Sequence, residues 1–167
     1  MILNQSINTN SFIYCSVYQS PYETTNYYNT GNGHFHESIY IVDGEITYTF
    51  ADNQELSGSE TFSTLAKGQF LDITASKGKY VITKTADVGS SMVMFNPIPE
   101  TKHLTVEFVT GDKTVTAGND RVTVVCVTGP VTIKDKILNS GQYAVVFADT
   151  SAKLVQSENT ICALVTG

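Results

Sequence analysis

Tryptophan is absent from the 167 residues, and charge is sparse. Charged residues make up 16% of the chain, against the usual quarter, so the polar surface must come largely from Thr, Ser, Asn and Gln. Ten Lys and Arg stand against 16 Asp and Glu, a formal net charge of -6. The ten cations are scattered from Lys67 to Lys153, with no stripe able to track a phosphate backbone, which argues against nucleic acid as a partner. No apolar run approaches the ~18 residues of a membrane span, so no membrane partner is expected. Met1-Ile2-Leu3-Asn4-Gln5 lacks the basic start and apolar stretch of a signal peptide, which points to a cytoplasmic protein. The cysteines, Cys15, Cys126 and Cys162, are odd in number and show no CxxC spacing. That excludes a zinc ribbon and a disulfide framework, and predicts buried free thiols in a reducing compartment. Gly31-Asn32-Gly33 and Asp87-Val88-Gly89-Ser90 open no helix and so form no phosphate loop, and no nucleophile elbow is present.

What the chain does hold is Val, Thr, Tyr and short apolar runs between turn residues, a composition suited to strands. No segment shows sustained helical periodicity. The chain also repeats itself. Ile39-Tyr40-Ile41-Val42-Asp43-Gly44-Glu45-Ile46-Thr47 matches Val124-Val125-Cys126-Val127-Thr128-Gly129-Pro130-Val131-Thr132. Leu65-Ala66-Lys67-Gly68-Gln69-Phe70 matches Leu138-Asn139-Ser140-Gly141-Gln142-Tyr143 in the same order. Gly44 and Gly129 are 85 residues apart, Gly68 and Gly141 only 73, so the second copy is 12 residues shorter between the two matches. In the first copy that region is the polar stretch 51–64, expected to be an extended hairpin tip or loop. The expected organisation is a first unit over residues 1–96, a Pro-containing connector over 97–102, and a shorter second unit over 103–167. Pro97 and Pro99 place the connector, since neither suits a central strand.

Within each copy, Asp43-Gly44 reads as a two-residue hairpin turn and Thr128-Gly129 as a weaker version of it. Apolar strands follow at Phe70–Ile73, Tyr80–Thr83 and Met92–Phe95, and again at Tyr143–Phe147, Lys153–Val155 and Ile161–Val165. With a turn at Asp43-Gly44, one face of the hairpin holds Glu37, Ile39, Ile41, Ile46, Tyr48 and Phe50, and this is the expected interior. His36, Ser38, Tyr40 and Val42 then point the other way. The tyrosine-rich segment from Tyr18 to Tyr28 reads either as an irregular lid over a barrel end or as a carbohydrate- or protein-contacting surface.

Gly33-His34-Phe35-His36-Glu37, followed by Gly44 seven residues after the glutamate, resembles the first motif of the cupin superfamily. The family usually has three or four residues between the second histidine and the glutamate; here there are none. Gly78-Lys79-Tyr80-Val81 stands where the family's second motif delivers another histidine, and no histidine is present. The resemblance implies an all-β protein of two tandem small barrels or jelly rolls, a bicupin, with a small-molecule pocket in the first barrel. It also implies a divalent transition metal, Fe, Mn, Ni or Zn, held by His34, His36 and Glu37, with Tyr48, Phe50 and Tyr40 as ligand-binding side chains. His-x-His on a strand puts two imidazoles on one side. For all three groups to converge, a β-bulge must separate His36 from Glu37. His103 is the one other histidine that could add a ligand. Alternatively, Glu37 is a structural carboxylate bonded to a tyrosine such as Tyr48. An offset of 85 carries the three candidates to Asn119, Arg121 and Val122, so the second unit is expected to be metal-free, with Val124, Cys126, Val131 and Ile133 inside.

Two functions follow. One is binding of a small molecule, a sugar or a carboxylate, in the first barrel of a homodimer. The other is a non-catalytic β-barrel module for binding or assembly, for example in a phage or virion particle.

Overall fold

The computed structural model describes residues 1–28, 38–73, 80–98 and 102–167. Among these every regular element is a strand, and the chain divides into two compact units, Met1–His103 and Leu104–Gly167.

The first unit holds β1 (Ile2–Asn8), β2 (Phe12–Gln19), β3 (Thr24–Tyr28), β4 (Ser38–Ala51), β5 (Ser63–Ala66), β6 (Phe70–Asp72) and β7 (Tyr80–Pro97). Two long strands, β4 and β7, run side by side through the whole unit. The first part of β4 pairs with β6 and with the end of β7, which in turn pairs with β2, and β2 with β1. The last part of β4 pairs with β5 and with the start of β7, which pairs with β3. The unit therefore has two walls, β6–β4–β7–β2–β1 and β5–β4–β7–β3, that share their central strands. Strands pass from one wall to the other at corners made by bulges.

The corner corrects the hairpin expected at Asp43-Gly44. β4 does not reverse there. Its register against β7 slips between Ile41 and Asp43, and again between Gly44 and Ile46, where Gly44 faces Ser90 and Ile46 faces Thr85. Gly44 has φ +76, and a Cβ there would sit 2.4 Å from the carbonyl oxygen of Gly89, itself at φ +68. Two glycines thus cross backbone to backbone, which a side chain on Gly44 would prevent. A bulge changes side-chain parity as a two-residue turn does. Hence Ile39, Ile41 and Ile46 all reach the same core although the turn itself is missing. Each is fully buried, contributing roughly 1.5–3 kcal/mol. Tyr48 and Phe50 pack half-buried against that core.

The second unit holds β8 (Thr105–Val109), β9 (Lys113–Thr116), β10 (Val122–Thr128), β11 (Val131–Ile133), β12 (Lys136–Leu138), β13 (Tyr143–Val146), β14 (Ser151–Val155) and β15 (Ile161–Thr166). Its walls are β13–β10–β15–β8 and β12–β11–β14–β9. Laid on the first unit, β10 and β11 are the two parts of β4, β14 and β15 the two parts of β7, and β13, β12, β8 and β9 take the places of β6, β5, β2 and β3. Thr128-Gly129 is accordingly a corner between walls, not a hairpin turn. The tight hairpin is at Lys134-Asp135, both at positive φ, between the paired Ile133 and Lys136, as a type I′ turn requires. Val124, Cys126, Val131 and Ile133 lie in the core, drawn from both walls.

The LxxGQ segments are the same device twice. In Ala66-Lys67-Gly68-Gln69 the glycine has φ +82, the third-position conformation of a type II turn. Gln69 N–H donates to the Ala66 carbonyl at 2.9 Å, and the Gln69 Oε1 accepts from Ala66 N–H at 2.7 Å. Gly68 N–H donates to the Ile41 carbonyl, and Ile41 N–H to the Gln69 carbonyl. In the second unit Gly141 has φ +84, and the same four bonds join Asn139, Gln142, Gly141 and Cys126.

Further expectations are corrected. Pro97 is not connector: it closes β7, opposite Phe12. The tyrosine-rich segment is no irregular lid. It is the end of β2, a turn over Ser20–Glu23, and β3, with Tyr27 in the core. Of the thiols, Cys126 and Cys162 are fully buried and Cys15 is half-buried.

Candidate ligand-binding barrel

His34, His36 and Glu37 immediately precede β4 in sequence and lie outside the described residues, as do Gly78 and Lys79. His103 ends the first unit and is exposed. Among the described residues no group of three His, Cys, Asp or Glu is placed to hold a metal ion.

The interior of the first unit can be read from register. β3, the start of β7 and the end of β4 align Tyr27, Val81 and Phe50 in one cross-strand row, and Thr25, Thr83 and Tyr48 in the next. Tyr27, Val81, Phe50 and Tyr48 all belong to or pack on the core, which fixes this face as the inner one. Tyr48 and Phe50 meet edge to face, ring centroids 5.7 Å apart. Tyr40 differs: it is buried on the face opposite Ile39 and Ile41, so it does not share a surface with Tyr48 and Phe50.

Polar groups enter this wall at three residues that pattern reading missed. Gln19 and Thr83 are both fully buried. Thr83 Oγ1 donates to Gln19 Oε1 at 3.0 Å, and Gln19 Nε2 donates to the Glu23 carbonyl at 2.9 Å. The Tyr27 hydroxyl, beside the Thr83 side chain and donating to the Met1 thioether, has its pKa raised by burial. The phenol therefore stays protonated, and burial likewise pushes Tyr40 upward. Each of these described groups is bonded within the protein, and none supplies an acid or base near neutral pH. The signal for Tyr27 and Thr83 was present as alternation in Thr25–Tyr27 and Val81–Thr83. The polarity of the tyrosine-rich segment obscured it.

The described residues also form surface clefts, two of them at opposite ends of the chain's fold units. One, of about 510 Å³, lies at the β4–β5 tip against Phe50, Asp52, Asn53, Glu55 and Glu60. There Ser57 N–H and Oγ both donate to Glu60, at 2.6 and 2.8 Å, and hold its carboxyl at a pKa of about 2. The other, of about 330 Å³, opens in the second unit over Val115, Val122 and Leu164, with Glu107 and Lys113 paired at its rim at 2.6 Å.

No protein-family model and no curated protein matches the sequence. Solved structures match the fold. The cupin 2 conserved barrel domain protein from Leptotrichia buccalis is similar at 10% identity and TM-score 0.57, over 99% of this chain and 88% of that one. YhaK from Escherichia coli is similar at 10% identity and TM-score 0.62, over 97% and 86%. A salicylate 1,2-dioxygenase from Pseudaminobacter salicylatoxidans is similar at 9% identity and TM-score 0.59, over 97% and 75%. The chain thus has the all-β, cupin-like jelly-roll fold. No helix among the described residues is long and apolar enough to cross a membrane.

Proposed function

We propose that the chain binds a small polar molecule, a sugar or a carboxylate, inside the first barrel, together with a divalent transition metal. The observation that supports this is the inner wall of that barrel. An apolar core is interrupted there by the neutral hydrogen-bonding groups of Tyr27, Thr83 and Gln19, beside the Tyr48–Phe50 pair. Few polar groups set in an apolar concavity is the usual composition of a ligand site. Tyr48 and Phe50 would give the ligand an apolar surface, and the buried hydroxyls would orient it.

His34, His36 and Glu37 would hold the metal. Two imidazoles and a carboxylate suit Fe, Mn, Ni or Zn and leave positions free for a ligand. When bound, such an ion would polarise a carbonyl or activate water or oxygen. The likeness to a salicylate dioxygenase fits this chemistry at the level of fold. The reading takes the protein as a cytoplasmic homodimer. Among the described residues β1 is the edge of its wall, with Ile2 and Leu3 exposed, which suits such pairing, and light scattering tests it.

Metal analysis of protein purified without an affinity tag decides the reading. A stoichiometric transition metal, lost in the double variant His34→Ala/His36→Ala, is expected. Metal-free protein whose thermal stability is the same in that variant would overturn it.

A further inference from the structure

Two of the three cysteines lie directly opposite each other, Cys126 on β10 against Cys162 on β15. Backbone hydrogen bonding shows which kind of pair this is. Cys126 N–H donates to Gln142 and its carbonyl accepts from Gly141, so both its polar groups point away from β15. A residue's N–H and C=O lie on the same side of an antiparallel strand, which makes Cys126–Cys162 a non-hydrogen-bonded pair. Such pairs bring Cα atoms to about 4.5 Å, inside the ~4.4–6.8 Å that a disulfide spans. Both side chains enter the core of the second unit, and their thiols are hydrogen-bonded to each other.

The pair is also asymmetric. Both thiols are fully buried, and a Cβ on half-exposed Gly129 would lie 2.6 Å from the Cys126 Sγ, so the bare glycine backbone is the cover over Cys126. The Cys162 thiol donates to the Cys126 sulfur and favours its ionisation. The same bond, together with burial and the neighbouring Cys126 charge, keeps Cys162 protonated. At the matching position of the first unit the opposed residues are Ile41 and Met92, with the same backbone bonds to Gly68 and Gln69.

We propose that Cys126 and Cys162 are a redox-active dithiol that closes to a cross-strand disulfide when the protein meets a low-molecular-weight disulfide such as oxidised glutathione. The Cys126 thiolate attacks one sulfur of the oxidant, expels one glutathione thiolate and becomes a mixed disulfide. Cys162 loses its proton to the expelled thiolate, attacks the Cys126 sulfur and expels the second glutathione. Two protein thiols are oxidised and one small disulfide is reduced to two thiols.

The full chain is incubated with oxidised glutathione under native, mildly alkaline conditions and mapped by mass spectrometry without reduction. The expected product is lighter by two hydrogen atoms, carries a Cys126–Cys162 cross-linked peptide, releases two glutathiones and reverts with dithiothreitol. Its melting temperature rises by roughly 15 °C or more, as for closure of a loop of this length in a small unit. A Cys162→Ala variant stops at a mixed disulfide on Cys126, and a Cys15→Ser variant reacts as the wild type does. The proposal fails if Cys126 and Cys162 stay reduced under conditions that glutathionylate Cys15. It fails equally if the cross-link forms only after denaturant is added.

Discussion

The two units build the same strand order with different corners. In the first, β4 and β7 carry the chain unbroken from one wall to the other, bending where Gly44 crosses Gly89. In the second, each long strand is cut in two, at Gly129-Pro130 between β10 and β11 and at residues 156–160 between β14 and β15. Both units nevertheless pin a polar connector with a buried glutamine and threonine. In the first, Gln19 at the end of β2 meets Thr83 on β7; in the second, Gln156 after β14 meets Thr160 and reaches the Val109 carbonyl. The comparison teaches that strand order and the LxxGQ turn define the unit. How the corner is turned is open to local choice, provided no buried backbone group loses its partner.

Gly44→Ala tests the corner most severely. The left-handed φ costs a side chain about 1–2 kcal/mol, and the clash with the Gly89 carbonyl adds to it, so a loss of about 3 kcal/mol is expected. Every tyrosine except Tyr143 belongs to the first unit, so tyrosine fluorescence during urea unfolding reads that unit directly. A loss under ~1 kcal/mol would mean the crossing can relax, and the contrast between corners would dissolve.

Gln69→Ala and Gln142→Ala test what the units share. Each removes one side-chain bond that closes a type II turn, with an expected cost of about 1 kcal/mol apiece. A large effect in one unit and none in the other would break the equivalence. Asp135→Gly sharpens it further. Placing glycine at a positive-φ position of the tight hairpin is expected to stabilise the second unit by about 0.5 kcal/mol in thermal unfolding. Lys134 is left in place, since its Nζ donates to the Val145 carbonyl and lies over the Phe147 ring.

The smallest effect concerns the long β4–β5 tip, which the second unit shortens to the two-residue turn at Lys134-Asp135. Glu60 has its folded pKa lowered to about 2 from an ordinary 4.5. A lowered carboxyl pKa contributes stability that is present above about 4.5 and lost as pH falls through about 2. An NMR titration of the Glu60 side chain and the Ser57 amide should show both moving with a midpoint near 2. A midpoint above 4 would show the Ser57–Glu60 bonds are absent in solution.

Much of this was legible in the residues. Strand content, the repeat and the inner positions Ile39, Ile41, Ile46, Val124, Cys126, Val131 and Ile133 all followed from alternation and self-similarity. What failed were the turns. Asp43-Gly44 has the chemistry of a hairpin, but a positive-φ glycine serves a bulge as well, and the pairing that decides between them lies some fifty residues away on β7. Conversely, Lys134-Asp135 lacks the Asn-Gly or Asp-Gly signature and still makes the tight turn, because the Ile133–Lys136 register leaves it no room for another. The candidate site was legible as a motif and not as a surface. Spacing pointed to His34, His36 and Glu37, whereas the Tyr27–Thr83–Gln19 group is assembled from three strands that no local pattern connects.

The two hairpins between matching strands, residues 49–62 in the first unit and 134–135 in the second, amount to a natural length experiment. Closing the longer one costs roughly 2 kcal/mol more in chain entropy, a penalty the barrel evidently absorbs. This tip is where the scaffold is expected to accept foreign sequence. A peptide epitope or a small domain grafted between Asp52 and Phe62 would be displayed at the rim of the first barrel, at the cost of the Asn26–Gln54 bond that ties the tip to β3.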